Sequence, residues 1–207
     1  MVLNKPPLLP TAGRSLDDPD CLQFWLMMRH RRMVWAVHQL DADTTGVNVF
    51  VWKKTLVPVY QERMRFPNAQ KSYLAIVHGD PAFDELRIAE PLGYIKTEDF
   101  SGQGVVQSGK KSATQVTVLG RNGRHALVRA RLETGRTHQV RVHLAHVGHP
   151  LVGEEWYRRP ACTEHPRQAL HAERVEFRDG IEPGLFEAPL TSDLLELVDR
   201  LGLAQCL

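Results

Sequence analysis

Four short runs carry most of the reactive side chains of this 207-residue chain. The first is His38-Gln39-Leu40-Asp41-Ala42-Asp43-Thr44-Thr45-Gly46, a dense polar cluster just ahead of a strongly apolar segment. Such a cluster belongs on a loop. Asp and Thr favour turns because their side chains bond their own backbone, and Gly46 permits positive φ. The run therefore fits a simple turn. It also fits an Asp held by a turn at the edge of a cleft, where it could serve as nucleophile or base. The second run is Gly135-Arg136-Thr137-His138-Gln139-Val140-Arg141-Val142-His143. Two Arg and two His surround a helix start, where backbone N–H groups also favour anions. It reads as a basic amphipathic helix, or as a site where Arg meets carboxylate or phosphate.

The third is the series His138, His143, His146 and His149. Helical zinc sites use His pairs four apart with a further carboxylate or cysteine. A separation of five turns the side chains about 140° from each other on a helix. His138 and His143 diverge on that ground, and no metal site is expected. The fourth run is Lys71-Ser72-Tyr73-Leu74-Ala75. Its Tyr fits a strand's edge or core, and its hydroxyl could instead exchange a proton in a pocket. The sequence contains neither of the glycine-rich phosphate loops that serve nucleotide cofactors.

The elements that must position these residues are those of one ordinary globular domain, taken as residues 1–207. Hydrophobic residues make up 43% of the chain and charged ones 24%, enough for a sizeable core. No linker-like stretch divides it. No apolar run approaches a membrane span, and the N-terminus has no signal-peptide character. Cys21, Cys162 and Cys206 are far apart in the sequence. That spacing points away from a disulfide framework or a cysteine zinc site and towards a reducing, cytoplasmic setting.

The net charge is only +2, but its distribution is uneven. Residues 121–141 hold six Arg against one acid, and residues 176–207 hold seven acids against two Arg. A second basic knot is Arg29-His30-Arg31-Arg32. Such runs are commonly solvated faces. Two of them close to the chemical runs favour an anionic partner.

Periodicity predicts strands over residues 47–52, 72–77, 114–119 and 125–132, with a hairpin turn at Gly120-Arg121-Asn122-Gly123. It places Ala126, Val128, Ala130 and Leu132 on one face of the last strand. His125, Arg129 and Arg131 fall on the other, towards solvent or a ligand. Residues 137–146 read as a helix with Val140, Leu144 and Val147 inward and His138 and Arg141 sharing a side. Gly148-His149-Pro150 ends it. A final helix starts near Thr191-Ser192-Asp193 with Ser192 as N-cap. The elements interleave without a βαβ rhythm, so the fold class is α+β.

Together these runs resemble the RluA-type pseudouridine synthases, which isomerise uridine in ribosomal or transfer RNA. The family's His-Arg-Leu-Asp-x-x-Thr-Ser-Gly matches residues 38–46, and its Lys-x-Tyr strand matches residues 71–73. Its Thr-Gly-Arg-Thr-His-Gln-Ile-Arg-Val-His-Leu matches residues 134–144 with one conservative change, at Val140. Gly148-His149-Pro150-Leu151 and a run ending at Tyr157 follow. Leu3-Asn4-Lys5-Pro6-Pro7, residues 111–119, 167–172 and 186–190 resemble further family segments.

The resemblance implies a mixed, largely antiparallel sheet flanked by helices with a cleft across its middle. It implies Asp41 as the catalytic nucleophile, with Tyr73 and Arg141 completing the site. An Arg near a carboxylate favours its ionised form. Tyr73 would stack on the base and accept a proton in the second half of the reaction. No metal or organic cofactor is implied. His38, Gln39, Arg136 and His138 are the implied RNA-contacting positions. The family's Arg two residues before the catalytic Asp, thought to fill the space of the flipped base, is Gln39 here. That departure also suits a second reading, an RNA-binding or RNA-folding module that has lost the isomerase step. A metal-dependent hydrolase built on the His series is the third.

Thr45 for Ser, and Glu154-Glu155 where the family has Gly-Asp, are milder departures. A stand-alone domain without the S4 RNA-binding domain of many relatives would find structured RNA, ribosomal or transfer, through its own basic surfaces. Its binding would be salt-sensitive. Its size, and the lack of an obvious interface stripe, point to a monomer.

Overall fold

The structure is a computed structural model that describes residues 1–180 and 184–207. Of the acidic C-terminal run, Glu182 lies outside the described residues. Along the chain run β1 (Val2–Lys5), α1 (Leu22–His30), β2 (Trp35–Ala36), β3 (Thr45–Val51), α2 (Val57–Arg63), β4 (Ala69–His78), β5 (Glu85–Ile88) and β6 (Leu92–Lys96). There follow β7 (Ser101–Val105), β8 (Thr114–Arg121), β9 (His125–Leu132), α3 (Gln139–His146), β10 (Leu170–Phe177), β11 (Gly184–Glu187) and α4 (Ser192–Arg200). The expected α+β class, with a mixed and mostly antiparallel sheet, is what the chain adopts.

The chain forms two compact units, each assembled from separate stretches. The first comprises residues 1–71 and 171–191. Its strands run β1-β3-β10, with β2 also on β3 and β11 on β10. β1 and β2 pair antiparallel with β3, whereas β3 and β10 run parallel. All seven residues of β3 are buried, which accounts for its near-continuous apolar and small composition. Val47, Val49 and Val51 pack with Val37, Met64 and Val175. On the other face Phe50 packs with Leu22 and Leu26 of α1 and with Val34.

Gly46 is the tight point of this unit. Its φ is +108°, and it sits in parallel register with Ala172. A Cβ there would lie 2.2 Å from the Ala172 carbonyl oxygen. Both the backbone conformation and the close approach require glycine.

The second unit comprises residues 72–170 and 192–207. Its strands run β4-β9-β8-β5, with β6 and β7 forming a separate two-stranded ribbon. Ala75, Val77, Val116, Val128 and Ala130 form the sheet's apolar face, on which Val140 and Leu144 of α3 pack. α3 ends as expected. Gly148 has φ +88° and donates to Ala145, while His149 donates to the Leu144 carbonyl, closing the last turn.

Some local expectations are corrected. The β8–β9 turn falls one to two residues later than 120–123, because a bulge between Val118 and Gly120 extends β8 to Arg121. α3 begins at Gln139 and not at Thr137, since His138 takes a left-handed conformation at φ +55°. α4 begins at Ser192, so that residue is the first helical position and not the cap. On β9 the two faces are not cleanly apolar and polar: His125 and Leu127 are buried, and only Arg131 is fully exposed.

Candidate active site

In the first unit, Asp41 begins a four-residue turn closed by a bond from the Thr44 N–H to the Asp41 carbonyl, 3.0 Å. Asp41 and Asp43 are half-buried, and Thr44 and Thr45 are buried. The turn is braced from several directions. Leu40 exchanges two bonds with the Thr11 hydroxyl, at 3.0 and 3.2 Å. The Leu9 N–H reaches the Ala42 carbonyl at 3.2 Å. Beneath the turn lies the fully buried Lys5, whose Nζ donates to the carbonyls of Pro6, Leu9 and Ala42 at 2.7–2.8 Å. Lys5 is a site-building residue to which the motif reading gave no role, although its Lys5-Pro6-Pro7 run at the end of β1 is among the segments that resemble the family.

His38 is held from behind. Its Nε2 accepts the Val49 N–H at 3.2 Å, and the Asn48 amide donates to its carbonyl at 3.2 Å. An accepting Nε2 leaves the proton on Nδ1. Burial, with the Lys71 ammonium as a lesser cause, pushes the imidazole down to about 3. Burial also lowers the Lys71 ammonium from its ordinary value. Gln39, next in sequence, is exposed. The buried His171 accepts from the Thr45 hydroxyl at Nδ1, 2.8 Å, and donates from Nε2 to Ala188 at 3.0 Å, tying the start of β3 to β10.

In the second unit, Tyr73 lies on β4, half-buried against the apolar cluster that α3 covers. Arg141 projects from α3 and is only 5% exposed. Its guanidinium forms a bidentate pair with Glu154, Nε to Oε2 at 2.9 Å and Nη2 to Oε1 at 2.7 Å. Glu154 is fully buried. Burial alone would raise its carboxyl, but Arg141 and the N–H groups of Trp156 and Tyr157 outweigh that and hold it below its ordinary value. The guanidinium also faces the rings of Trp156 and Tyr157, 5.5 and 5.1 Å from their centroids. The His138 Nδ1 pairs with the Tyr157 hydroxyl at 2.6 Å. His138 and Arg141 thus share neighbours, as their spacing predicts.

The acid of the Gly-Asp-x-x-Tyr run is corrected by this geometry. Gly153 takes φ +75°, and a Cβ there would lie 1.9 Å from the Arg167 carbonyl oxygen. Gly153-Glu154 is therefore the Gly-acid pair, the acid being one methylene longer, and the exposed Glu155 is an ordinary surface residue.

Gln139 is a second residue that the motif reading left without a role. Its buried amide donates to Ala113 and Thr114, both at 2.9 Å, and accepts from the Thr134 hydroxyl and the Arg136 N–H at 2.7 and 3.0 Å. Two of these bonds go to the loop that leads into α3 and two to the start of β8, so Gln139 ties that loop to the sheet. His143 is likewise internal. It bonds Thr114, Ser112 and the Glu90 carbonyl, and burial lowers its pKa.

The Arg-rich run of residues 121–141 is not one basic face. Arg121 pairs with Asp84, Arg141 is buried, and Arg136 is exposed with Nε on the Lys111 carbonyl. The knot at Arg29–Arg32 is exposed at the end of α1, with Arg32 over the Trp52 ring at 4.4 Å.

The first unit carries a carboxylate on a braced turn; the second carries a paired arginine beside aromatic rings. Residues 1–146 match the model of a family described as RNA pseudouridylate synthase. The chain belongs to that family. It is 36% identical over 168 residues to the uncharacterized RNA pseudouridine synthase YlyB of Bacillus subtilis, covering 80% of this chain and 55% of that protein. It is 31% identical over 213 residues to ribosomal large subunit pseudouridine synthase C of Haemophilus ducreyi, covering 97% of this chain and 66% of that protein. The chain thus spans roughly half to two-thirds of the length of these curated relatives.

Among solved structures it resembles human RNA pseudouridylate synthase domain containing 4, with a TM-score of 0.78, 24% identity and coverage of 97% of this chain and 89% of that one. Human RNA pseudouridylate synthase domain containing 1 is similar, with a TM-score of 0.76, 25% identity and coverage of 97% and 90%. The fold is that of the pseudouridine synthases. Among the described residues, no helix is long and apolar enough to cross a membrane.

Proposed function

We propose that this chain is an RNA pseudouridine synthase acting through Asp41, Tyr73 and Arg141, and that residues 1–207 work as a single catalytic domain. The observation that carries the reading is the family's Asp, Asp41, kept on a turn that Lys5, Leu9 and Thr11 brace. The reaction breaks the N1–C1′ bond of a uridine, turns the uracil while it is held, and joins C5 to C1′. The C5 proton leaves and N1 gains one, so no external reactant is consumed. Asp41 acts as nucleophile or traps the intermediate. Arg141 supplies a cation that cannot lose its proton. Tyr73 stacks on the base and accepts a proton.

The uridine must leave its stack first, at a cost of a few kcal/mol. His38, Gln39, Arg136 and His138 are the proposed contacts around it, and Arg29–Arg32 with Trp52 offer cations and a stacking ring to the RNA backbone and bases. The substrate would be ribosomal or transfer RNA, and the protein a cytoplasmic monomer. Three free cysteines fit a reducing compartment.

Because the C5 hydrogen is lost, the purified protein should release tritium from RNA carrying 5-tritiated uridine. Asp41→Asn should retain RNA binding and abolish release. Binding without release from the wild type would favour the lapsed RNA-binding module, for which Gln39 is the supporting feature.

A further inference from the structure

The second unit holds a group of side chains away from Arg141 that the isomerase chemistry does not use. His78 closes β4 and His125 opens β9, while Cys162 and Glu164 lie on the loop between Leu151 and β10. The His78 Nε2 and the Cys162 Sγ are 3.1 Å apart. The His125 Nε2 and the Glu164 Oε2 are 3.0 Å apart. The two imidazole rings lie with centroids 5.2 Å apart, tilted by 49°. One donor atom each from His78, Cys162 and Glu164 falls within 4.8 Å of the other two.

We propose that His78, Cys162 and Glu164 form a binding site for a divalent transition metal of the zinc type, with His125 as a fourth ligand or as the partner that orients Glu164. Bonds of about 2.0–2.3 Å in a tetrahedron place neighbouring donors about 3.3–3.8 Å apart. The observed spacings bracket that range, so small side-chain rotations close the site. One thiolate, one or two imidazoles and a carboxylate form a borderline-soft donor set that suits zinc better than calcium or magnesium. The donors are also pre-positioned. Cys162 is buried, and its N–H bonds the Glu154 carbonyl at 3.0 Å. His78 donates its N–H to Pro150 at 2.9 Å, and Gly79 donates to Arg124 at 2.7 Å, which links the ends of β4 and β9.

The role follows from where the loop goes. The same loop carries Glu154, Trp156 and Tyr157, which surround the Arg141 guanidinium. A metal at His78 and Cys162 would pin that loop to two strand ends, as a structural site and not a catalytic one. None of its ligands belongs to the His138–His149 series, although the His149 Nδ1 bonds the His78 carbonyl at 3.0 Å, and they are too far apart in sequence to form a motif. It holds whether or not Asp41 performs the chemistry.

The test is titration of the chelator-stripped full chain with Zn²⁺ and Co²⁺, without RNA. One equivalent should bind, and the Co²⁺ form should show thiolate charge-transfer absorption. Cys162→Ser should lose that absorption, whereas the double variant Cys21→Ser/Cys206→Ser should keep it. Glu164→Gln, on an exposed side chain that the fold does not need, should weaken Zn²⁺ uptake. Three results would overturn the site: no stoichiometric uptake by the wild type, absorption that survives Cys162→Ser, or uptake indifferent to Glu164→Gln. The four residues would then be only a thiol–imidazole hydrogen bond and an imidazole–carboxylate hydrogen bond.

Discussion

Glu154 accepts two hydrogen bonds from the Arg141 guanidinium, at 2.7 and 2.9 Å, with both side chains buried. Two desolvated charges are tolerated because each satisfies the other, and the N–H groups of Trp156 and Tyr157 complete the carboxylate. Glu154→Gln should therefore cost about 3–5 kcal/mol of stability, the range for removing one member of a buried pair. Urea unfolding measures it. The carboxyl is held below its ordinary value of 4.5, so this contribution is fully present above about that pH and disappears as pH falls through the lower folded value. Acid unfolding of the wild type should be steeper below pH 4.5 than that of Glu154→Gln.

His38 makes the opposite kind of demand, for a neutral ring. Its imidazole is pushed from 6.5 down to about 3 by burial and by Lys71. An unfolded chain takes up this proton before the folded one does. Stability from this group is complete above about pH 6.5 and declines as the pH falls from there towards about 3. NMR of the ring should show no titration between pH 8 and 5. His38→Ala should remove the Val49 acceptor and shift the Asp41 turn.

Lys5 holds the Asp41 turn through the Ala42 carbonyl. Lys5→Met keeps most of the side chain's bulk and leaves three carbonyls without that ammonium. We expect a loss on the order of 3 kcal/mol, and a fall in turnover larger than any change in RNA affinity. Equal losses in both would mean that Lys5 only supports the fold.

Gln39 is exposed beside the turn, at the place of the Arg in the His-Arg-Leu-Asp pattern that this run resembles. Gln39→Arg restores a planar cation able to stack on a base. About 0.5–1 kcal/mol is expected from an exposed contact of that kind, a two- to five-fold tightening of RNA binding. The modified uridine should stay the same. Unchanged or weaker binding in a titration would count against a role for position 39 in holding the RNA.

What was legible in the sequence follows from how local each signal is. β3 is a near-continuous apolar run, β9 alternates, and β4, β8 and α3 are followed by Gly79, Gly123 and Gly148, so their existence is readable to within a few residues. α1 is not. Its cap is the Cys21 sulfur, and it leaves Trp25 and Met28 on the surface, so neither the cap nor the stripe stands out. α2 is seven residues long with Pro58 in its first turn. The motif residues were readable as a set, but their supports were not. Lys5 and Ala42, Arg141 and Glu154, and Thr45 and His171 meet only in three dimensions. For the same reason the arginines of residues 121–141 looked like one face. The bulge after Val118, the Asp84 pair and the burial of Arg141 separate them.

The central claim is isomerisation through Asp41, and pseudouridine mapping tests it most directly. Total RNA would be compared from cells with the gene, without it, and complemented by wild type or Asp41→Ala. One or a few sites should vanish with the gene and return only with the wild type. No change at any site, or equal restoration by Asp41→Ala, would contradict the account.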